Sequence, residues 1–198
     1  MFPLGTVLLP GGFLPLHVFE PRYRVLVHDC LQGTPEFGVA LIERGSEVGG
    51  GDSRFDVGCI ARIVEASETP DGRWALGTVG TRRVRVGAWL DDDPYPRAEV
   101  EDWPDDPEGA ERADEVWAHL RRVLALAAEV GERVPPAAAV APVEEAVAAS
   151  YQLASLVPVG PLDRLALLAA PTVGDRLGLA AELLADVEVV LATRLDGG

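Results

Sequence analysis

The 198-residue sequence predicts an α+β protein: an antiparallel β-rich part over residues 1–105, interrupted by one helix, followed by a helical part over residues 106–198. Two distributions carry that division. Twenty-one of the 27 alanines lie at or after residue 110, whereas 14 of the 21 glycines fall in the first hundred residues. Ala/Leu-rich chain favours helix, where alanine loses no side-chain freedom, and Gly-punctuated chain with β-branched runs favours strands and turns. A third observation marks the boundary. Residues 91–115 hold 12 acidic residues against two arginines and supply −10 of the net charge of −15. That segment reads as a solvated strand and linker, with 103–109 as its exposed junction; the alternative is an acidic docking surface for a basic partner.

Short apolar runs predict strands at 6–9, 14–19, 37–43, 57–66, 73–79 and 96–102. Pro21 suits a first helical position, and Tyr23, Leu26, Val27 and Cys30 then share one face at i, i+3, i+4 and i+7. Thr69-Pro70-Asp71-Gly72 is a turn signal, because proline presets φ at the second position and glycine accepts a positive φ. It joins strands 57–66 and 73–79 as a hairpin. Farther on, Val84, Val86 and Ala88 alternate with Arg83 and Arg85, the pattern of a half-buried strand. Strands of this length and spacing point to a closed or nearly closed antiparallel sheet.

The second part carries helical stripes. Ala113, Val116, Trp117, Leu120, Val123, Leu124 and Ala127 form one, and Val143, Ala146, Val147, Ser150 and Tyr151 place another helix at 143–157. A short helix is predicted at 162–170, ending before Pro171. The last helix starts at a capping box of Thr172 and Asp175, and its stripe is Leu177, Ala180, Leu184, Val187 and Leu191.

The composition excludes whole classes of chemistry. All 17 basic residues are arginines, so no phosphate-loop lysine, Schiff base or Ser-Lys dyad is available. A net charge of −15 argues against nucleic acid, whose binding rests on cations neutralising phosphates. None of Ser46, Ser53, Ser67, Ser150 and Ser155 sits in a nucleophile elbow. His17 with Glu20, or His28 with Cys30, lacks the spacing that places two donors on one ion, so no metal is expected. Gly49-Gly50-Gly51 before Asp52 lies between predicted strands and reads as a loop rather than a phosphate cradle. Cys30 and Cys59 are expected as reduced thiols. Residues 1–19 are apolar, but they lack a basic start and carry Pro3, Pro10 and Pro15, so neither an export leader nor a membrane span is expected and the localisation predicted is cytoplasmic.

Several stretches in order carry a resemblance: Leu14–Arg24 after Pro10-Gly11, Val57–Ala61, Pro70–Gly72, Gly80–Val84, and Arg164–Leu168 ahead of Thr172–Leu195. Together the chain resembles the N-terminal domain of the ATP-dependent Lon protease over essentially its whole length. The resemblance implies a PUA-like antiparallel β-barrel followed by a helical bundle. It also implies a substrate-recognition role, with ATP hydrolysis and peptidase activity belonging to separate domains, so that the expectation is a stand-alone, non-enzymatic module without cofactor.

The partner expected is an exposed or unfolded apolar protein segment, handed in some settings to a separate protease, with neither nucleic acid nor membrane as a target. Phe13 and Leu14, in the loop that begins at Gly11-Gly12, and Trp74, beside the 69–72 turn, are the candidate contact residues. The family motif Glu20, Pro21, Arg22 and Tyr23 reads as an architectural joint: Glu20, preceding Pro, is held extended as a helix N-cap, with its carboxylate at the positive end of the helix. Two other readings stand beside this one. One is a small-ligand protein or enzyme whose cleft residues are scattered in sequence. The other is a weak RNA binder, by PUA-like analogy and Arg82, Arg83 and Arg85.

Overall fold

In the computed structural model, which describes residues 1–196, six strands form one mixed sheet and five α-helices are present among the described residues. The chain divides into two compact units, Met1–Pro104 and a second that begins at Asp105. The first holds β1 (Phe2–Leu4), β2 (Phe13–Val18), α1 (Pro21–Gln32), β3 (Glu36–Arg44), β4 (Ser53–Glu68), β5 (Trp74–Leu90) and β6 (Arg97–Asp102). The second holds α2 (Ala113–Glu129), α3 (Ala146–Leu156), α4 (Pro161–Ala169) and α5 (Val173–Asp196).

The sheet runs β1-β3-β4-β5-β2, with β6 also on β5. β1 and β2 end this path without pairing to each other, so the sheet is open and the expected closed or nearly closed barrel does not form. It is not purely antiparallel either, because β1 runs parallel to β3, with Phe2 opposite Val39 and Leu4 opposite Leu41. Neither feature leaves a mark in strand spacing, since both depend on which distant strands meet. The run at 73–79 and the alternation at 83–88 belong to one 17-residue strand. One edge of β5 pairs along its length with β4; the other takes β2 on its first half and β6 on its second. The 69–72 turn closes the β4–β5 hairpin, with Thr69 N–H donating to Arg73 O at 2.8 Å and Gly72 at φ 75°.

Residues 6–9 do not form a ladder. Val7, Leu8 and Leu9 are buried, so their apolarity reports burial rather than strand. The segment passes β5 at Gly80, where a Cβ would run into the Leu9 carbonyl, and Gly11 N–H and Gly80 N–H each donate across this crossing. The core of this unit gathers Phe2, Leu8, Leu16, Val18, Phe37 and Ile63 under the Tyr23–Leu26–Val27 face of α1.

In the second unit α2, α3 and α4 each pack on α5. The α2 stripe is buried from Val116 to Ala127. The capping box forms reciprocally, Thr172 N–H to Asp175 Oδ2 at 3.2 Å and Asp175 N–H to Thr172 Oγ1 at 3.0 Å. α3 begins at Ala146, later than the expected 143, because Glu145 caps it by accepting from Val147 and Ala148 N–H, which leaves Val143 outside and exposed. The acidic stretch after Pro104 is less free than its composition suggests. Val173 and Gly174 N–H donate to Asp106 and Glu108 carbonyls, and Asp105 Oδ1 accepts from Arg176 at 3.0 Å.

Candidate functional site

β2 pairs with β5 alone, so its other edge is unpaired among the described residues, and its side chains split strictly between two faces. Leu14, Leu16 and Val18 sit opposite Thr78, Leu76 and Trp74; Leu16, Val18 and Leu76 belong to the core, and Leu14 and Trp74 pack against it half-buried. Phe13, Pro15 and His17 sit opposite Val79, Gly77 and Ala75 on the outer face, and all three are exposed. Phe13 is 64% exposed, and its Cε2 lies 3.3 Å from where a Gly77 Cβ would stand, so the ring rests on the strip that glycine leaves bare.

The three residues proposed from sequence therefore do not share one face. Phe13 and Leu14 are the first two residues of a strand rather than a loop, and a period of two turns consecutive side chains to opposite sides. Trp74 rejoins Phe13 indirectly. It lines a pocket of about 470 Å³ with His17, Phe19 and Pro70, open beside the end of β2, where Phe19 is 52% exposed. Asp71 and Arg73 form the polar side of this pocket and pair with each other at 3.0 Å. Pro15, His17 and Phe19 were missed in the sequence, although extending the alternation of residues 14–19 back by one position sets Phe13 with them.

The Glu20–Tyr23 segment sits at the start of α1. Glu20 has extended backbone (φ −67°, ψ 135°), as the residue before a proline should, but its side chain caps nothing. Its carboxylate instead lies 3.2 Å from Arg22 Nε and accepts weakly from Gly49 N–H at 3.5 Å. Arg22 stacks its guanidinium 4.6 Å from the Tyr23 ring centroid. Tyr23 is buried and stacks on Phe2 at 4.1 Å and 7° between planes. Burial pushes its hydroxyl pKa up to about 12. Glu20→Ala is expected to lower stability by about 1–2 kcal/mol, through loss of the nearer of the two carboxylates facing Arg22 rather than a lost cap, Asp92 remaining at 3.9 Å. A urea melt checks this, and restored stability in a Glu20→Ala, Arg22→Met double variant identifies the ion pair as the cause.

The remaining candidates are engaged in the fold. Arg83 is buried with Nε on Trp103 O at 3.1 Å and Nη2 on Pro104 O at 3.1 Å, and Arg85 lies 3.5 Å over the Trp103 ring. Arg82 bonds Glu36 and Asp102, each at 2.9 Å, and with Arg62 it holds the Glu36 carboxyl below its ordinary range. His28 contacts Gln32, and His119 contacts Glu188 at 2.8 Å. Among the described residues no group of three or more His, Cys, Asp or Glu is placed to hold a metal ion. Neither Cys30 nor Cys59 is in a disulfide, and burial pushes the Cys30 thiol pKa up. No helix among the described residues is long and apolar enough to cross a membrane.

Comparison with known proteins decides the family. The model for the ATP-dependent protease La (LON) substrate-binding domain matches residues 1–186. The chain belongs to the Lon substrate-binding domain family. Lon protease 2 of Myxococcus xanthus is 33% identical over 143 residues, which is 71% of this chain and 17% of that protease. A Lon N-terminal domain protein from Xanthomonas campestris matches in structure with a TM-score of 0.64 and 31% identity, covering 93% of this chain and 95% of that one. The N-terminal domain of a Mycobacterium avium complex Lon protease shares the fold at a TM-score of 0.62 and 19% identity, covering 93% of this chain and 97% of that one. This Lon-type chain spans less than a quarter of the length of the curated Lon proteases it matches. The likeness is to the substrate-binding domain of Lon, not to its catalytic domain.

Proposed function

We propose that this Lon-type domain is a non-enzymatic module that binds exposed apolar segments of unfolded proteins along the outer face of β2. The observation that carries the reading is Phe13, an aromatic ring 64% exposed on a sheet face that continues into an apolar pocket, in a chain of a substrate-binding family. An aromatic ring is rigid and large, so a client side chain docked on it buries much apolar area at little cost in conformational entropy. Phe13 is the anchor, Trp74 and Phe19 wall the neighbouring pocket, and Leu14 supports the strand from the core side. Glu20, Pro21, Arg22 and Tyr23 hold α1 in place beneath it. In this reading the module presents clients to a separate protease in the cytoplasm and uses no cofactor.

The alternative readings find less support. The arginines that suggested RNA are occupied by Glu36, Asp102, Trp103 and backbone carbonyls. No serine hydroxyl is hydrogen-bonded to a histidine among the described residues, which leaves a serine nucleophile without its base.

The test is fluorescence anisotropy with a labelled, permanently unfolded protein whose cysteines have been reduced and alkylated. Phe13→Asp is expected to weaken capture by about 1–3 kcal/mol, the scale of one buried apolar contact, with an unchanged melting temperature. Leu14→Asp is expected instead to lower the melting temperature. Wild-type affinity in Phe13→Asp would remove the outer face of β2 as the binding surface. Because the net charge is −15, clients with basic flanks are expected to associate faster at low salt, and added salt to slow them.

A further inference from the structure

α5 carries more apolar surface than its own unit uses. Leu177, Ala180, Leu184 and Leu191 form the buried stripe of the helix. Beside it a second stripe, Leu183, Val187 and Val190, runs at i, i+4 and i+7, and Val190 remains 51% exposed. With Pro158 and Val159 of the α3–α4 connection it lines a cleft of about 340 Å³. Exposed Leu162 opens the first turn of α4.

The rim of the cleft is acidic. Glu132, Asp163 and Asp186 line it, and the single lining arginine, Arg194, is bonded to Glu132 at 2.7 Å. Residues 105–198 hold 16 acidic residues against seven arginines, and one of those seven, Arg176, is buried. We propose that this cleft docks a basic amphipathic helix of a partner protein, its apolar face on Leu183, Val187 and Val190 and its arginines or lysines on Asp163 and Asp186.

Charge and length select this occupant. From Leu183 to Arg194 the helix rises about 17 Å, three turns, which matches a partner helix of about 11–12 residues laid along it. A second copy of the chain docking this patch on itself would set acidic rim against acidic rim, a juxtaposition that costs several kcal/mol. An anionic membrane surface and nucleic acid are repelled in the same way. A hydrolytic role fits poorly, because a general-acid carboxyl needs a desolvated setting and Asp163 and Asp186 are exposed. This surface belongs to the helical unit and is independent of the Phe13 face.

The probe is a labelled 14-residue peptide with leucines at i, i+3, i+4 and i+7 and arginines on both flanks. Controls are the same composition with the periodicity scrambled, and the same pattern with glutamate in place of arginine. The full chain is expected to bind the patterned cationic peptide at least 10-fold tighter than either control, with helicity appearing in the peptide and affinity falling as salt rises. Val190→Asp, on an exposed position, is expected to cost 10-fold or more at an unchanged melting temperature. Asp163→Arg with Asp186→Arg is expected to invert the preference toward the glutamate peptide, and Phe13→Asp to change nothing. Equal binding of the scrambled peptide, or wild-type affinity in Val190→Asp, would overturn the proposal. So would concentration-dependent dimerisation that Val190→Asp abolishes, which would assign the cleft to a second copy.

Discussion

Replacing Arg176 with methionine is expected to lower the unfolding free energy of the helical unit by about 3–5 kcal/mol, the range for removing one partner of a buried ion pair. The guanidinium is fully buried and has a partner on every side. Its Nε donates to Leu167 O at 3.0 Å, Nη1 to Ser150 Oγ at 2.7 Å, and Nη2 to Asp105 Oδ1 at 3.0 Å and Tyr151 Oη at 2.9 Å. It also lies 3.7 Å over the Tyr151 ring, whose hydroxyl donates to Asp105 Oδ1 at 2.6 Å. Methionine fills the volume but supplies no donor, leaving a carbonyl, two hydroxyls and a carboxylate under-bonded around a buried position. Lysine keeps the charge but not the planar fork, so Arg176→Lys is expected to recover only part of the loss. Urea melts of Arg176→Met, Asp105→Asn and the double variant check this. The two effects are expected to be non-additive by more than 1 kcal/mol, and additive behaviour would mean that the pair is not the source of the stability.

Tyr23→Ala is expected to lower the unfolding free energy of the first unit, Met1–Pro104, by about 3–5 kcal/mol, the range for truncating a buried aromatic. The ring is enclosed by Phe2 on one face and the Arg22 guanidinium nearby, within a core that includes Leu26, Val27 and Phe37. Removing it leaves a cavity among Phe2, Leu26 and Phe37, which a packed core refills only in part. Tyr23→Phe isolates the hydroxyl. Because burial raises its pKa from 10 to about 12, the folded state keeps its proton where the unfolded state loses it. The stability this group supplies is whole below pH 10 and is lost as pH rises from 10 to about 12. Wild type is therefore expected to lose stability more steeply than Tyr23→Phe across that interval in parallel melts. Parallel slopes would show that the hydroxyl titrates equally in both states.

Much of the fold was legible because it is written locally. The α1 start at Pro21, the 69–72 hairpin turn, the buried α2 stripe and the Thr172–Asp175 box each rest on residues within a few positions of one another, and each formed where it was read. Errors came where a local pattern was asked a non-local question. Residues 6–9 are as apolar as a strand because they are buried, yet they cross β5 at Gly80 rather than pairing along it. Arg83 has the polar place in an alternating strand but is buried, because Trp103 and Pro104 bring carbonyls to it.

The candidate surface divides in the same way. Sequence order alone determined that Phe13, Leu14 and Trp74 were apolar residues near turns, and that no lysine exists to run a phosphate-loop or Ser-Lys mechanism. It also carried the family, since the matching segments are ordered along the chain. Which of the three faces solvent was decided by the β2–β5 register, which sets Phe13 over Gly77 and turns Leu14 and Trp74 toward the core. The opening of the sheet was decided by β1 and β2 ending its path without pairing to each other, and its mixed character by β1 finding β3 in parallel. The burial of Arg176 was decided by Asp105, Ser150 and Leu167, which meet it from 71, 26 and 9 residues away. Periodicity fixes which side chains share a face, because that follows from backbone geometry within one element; what covers the face depends on contacts between distant segments, and only the folded chain brings those together.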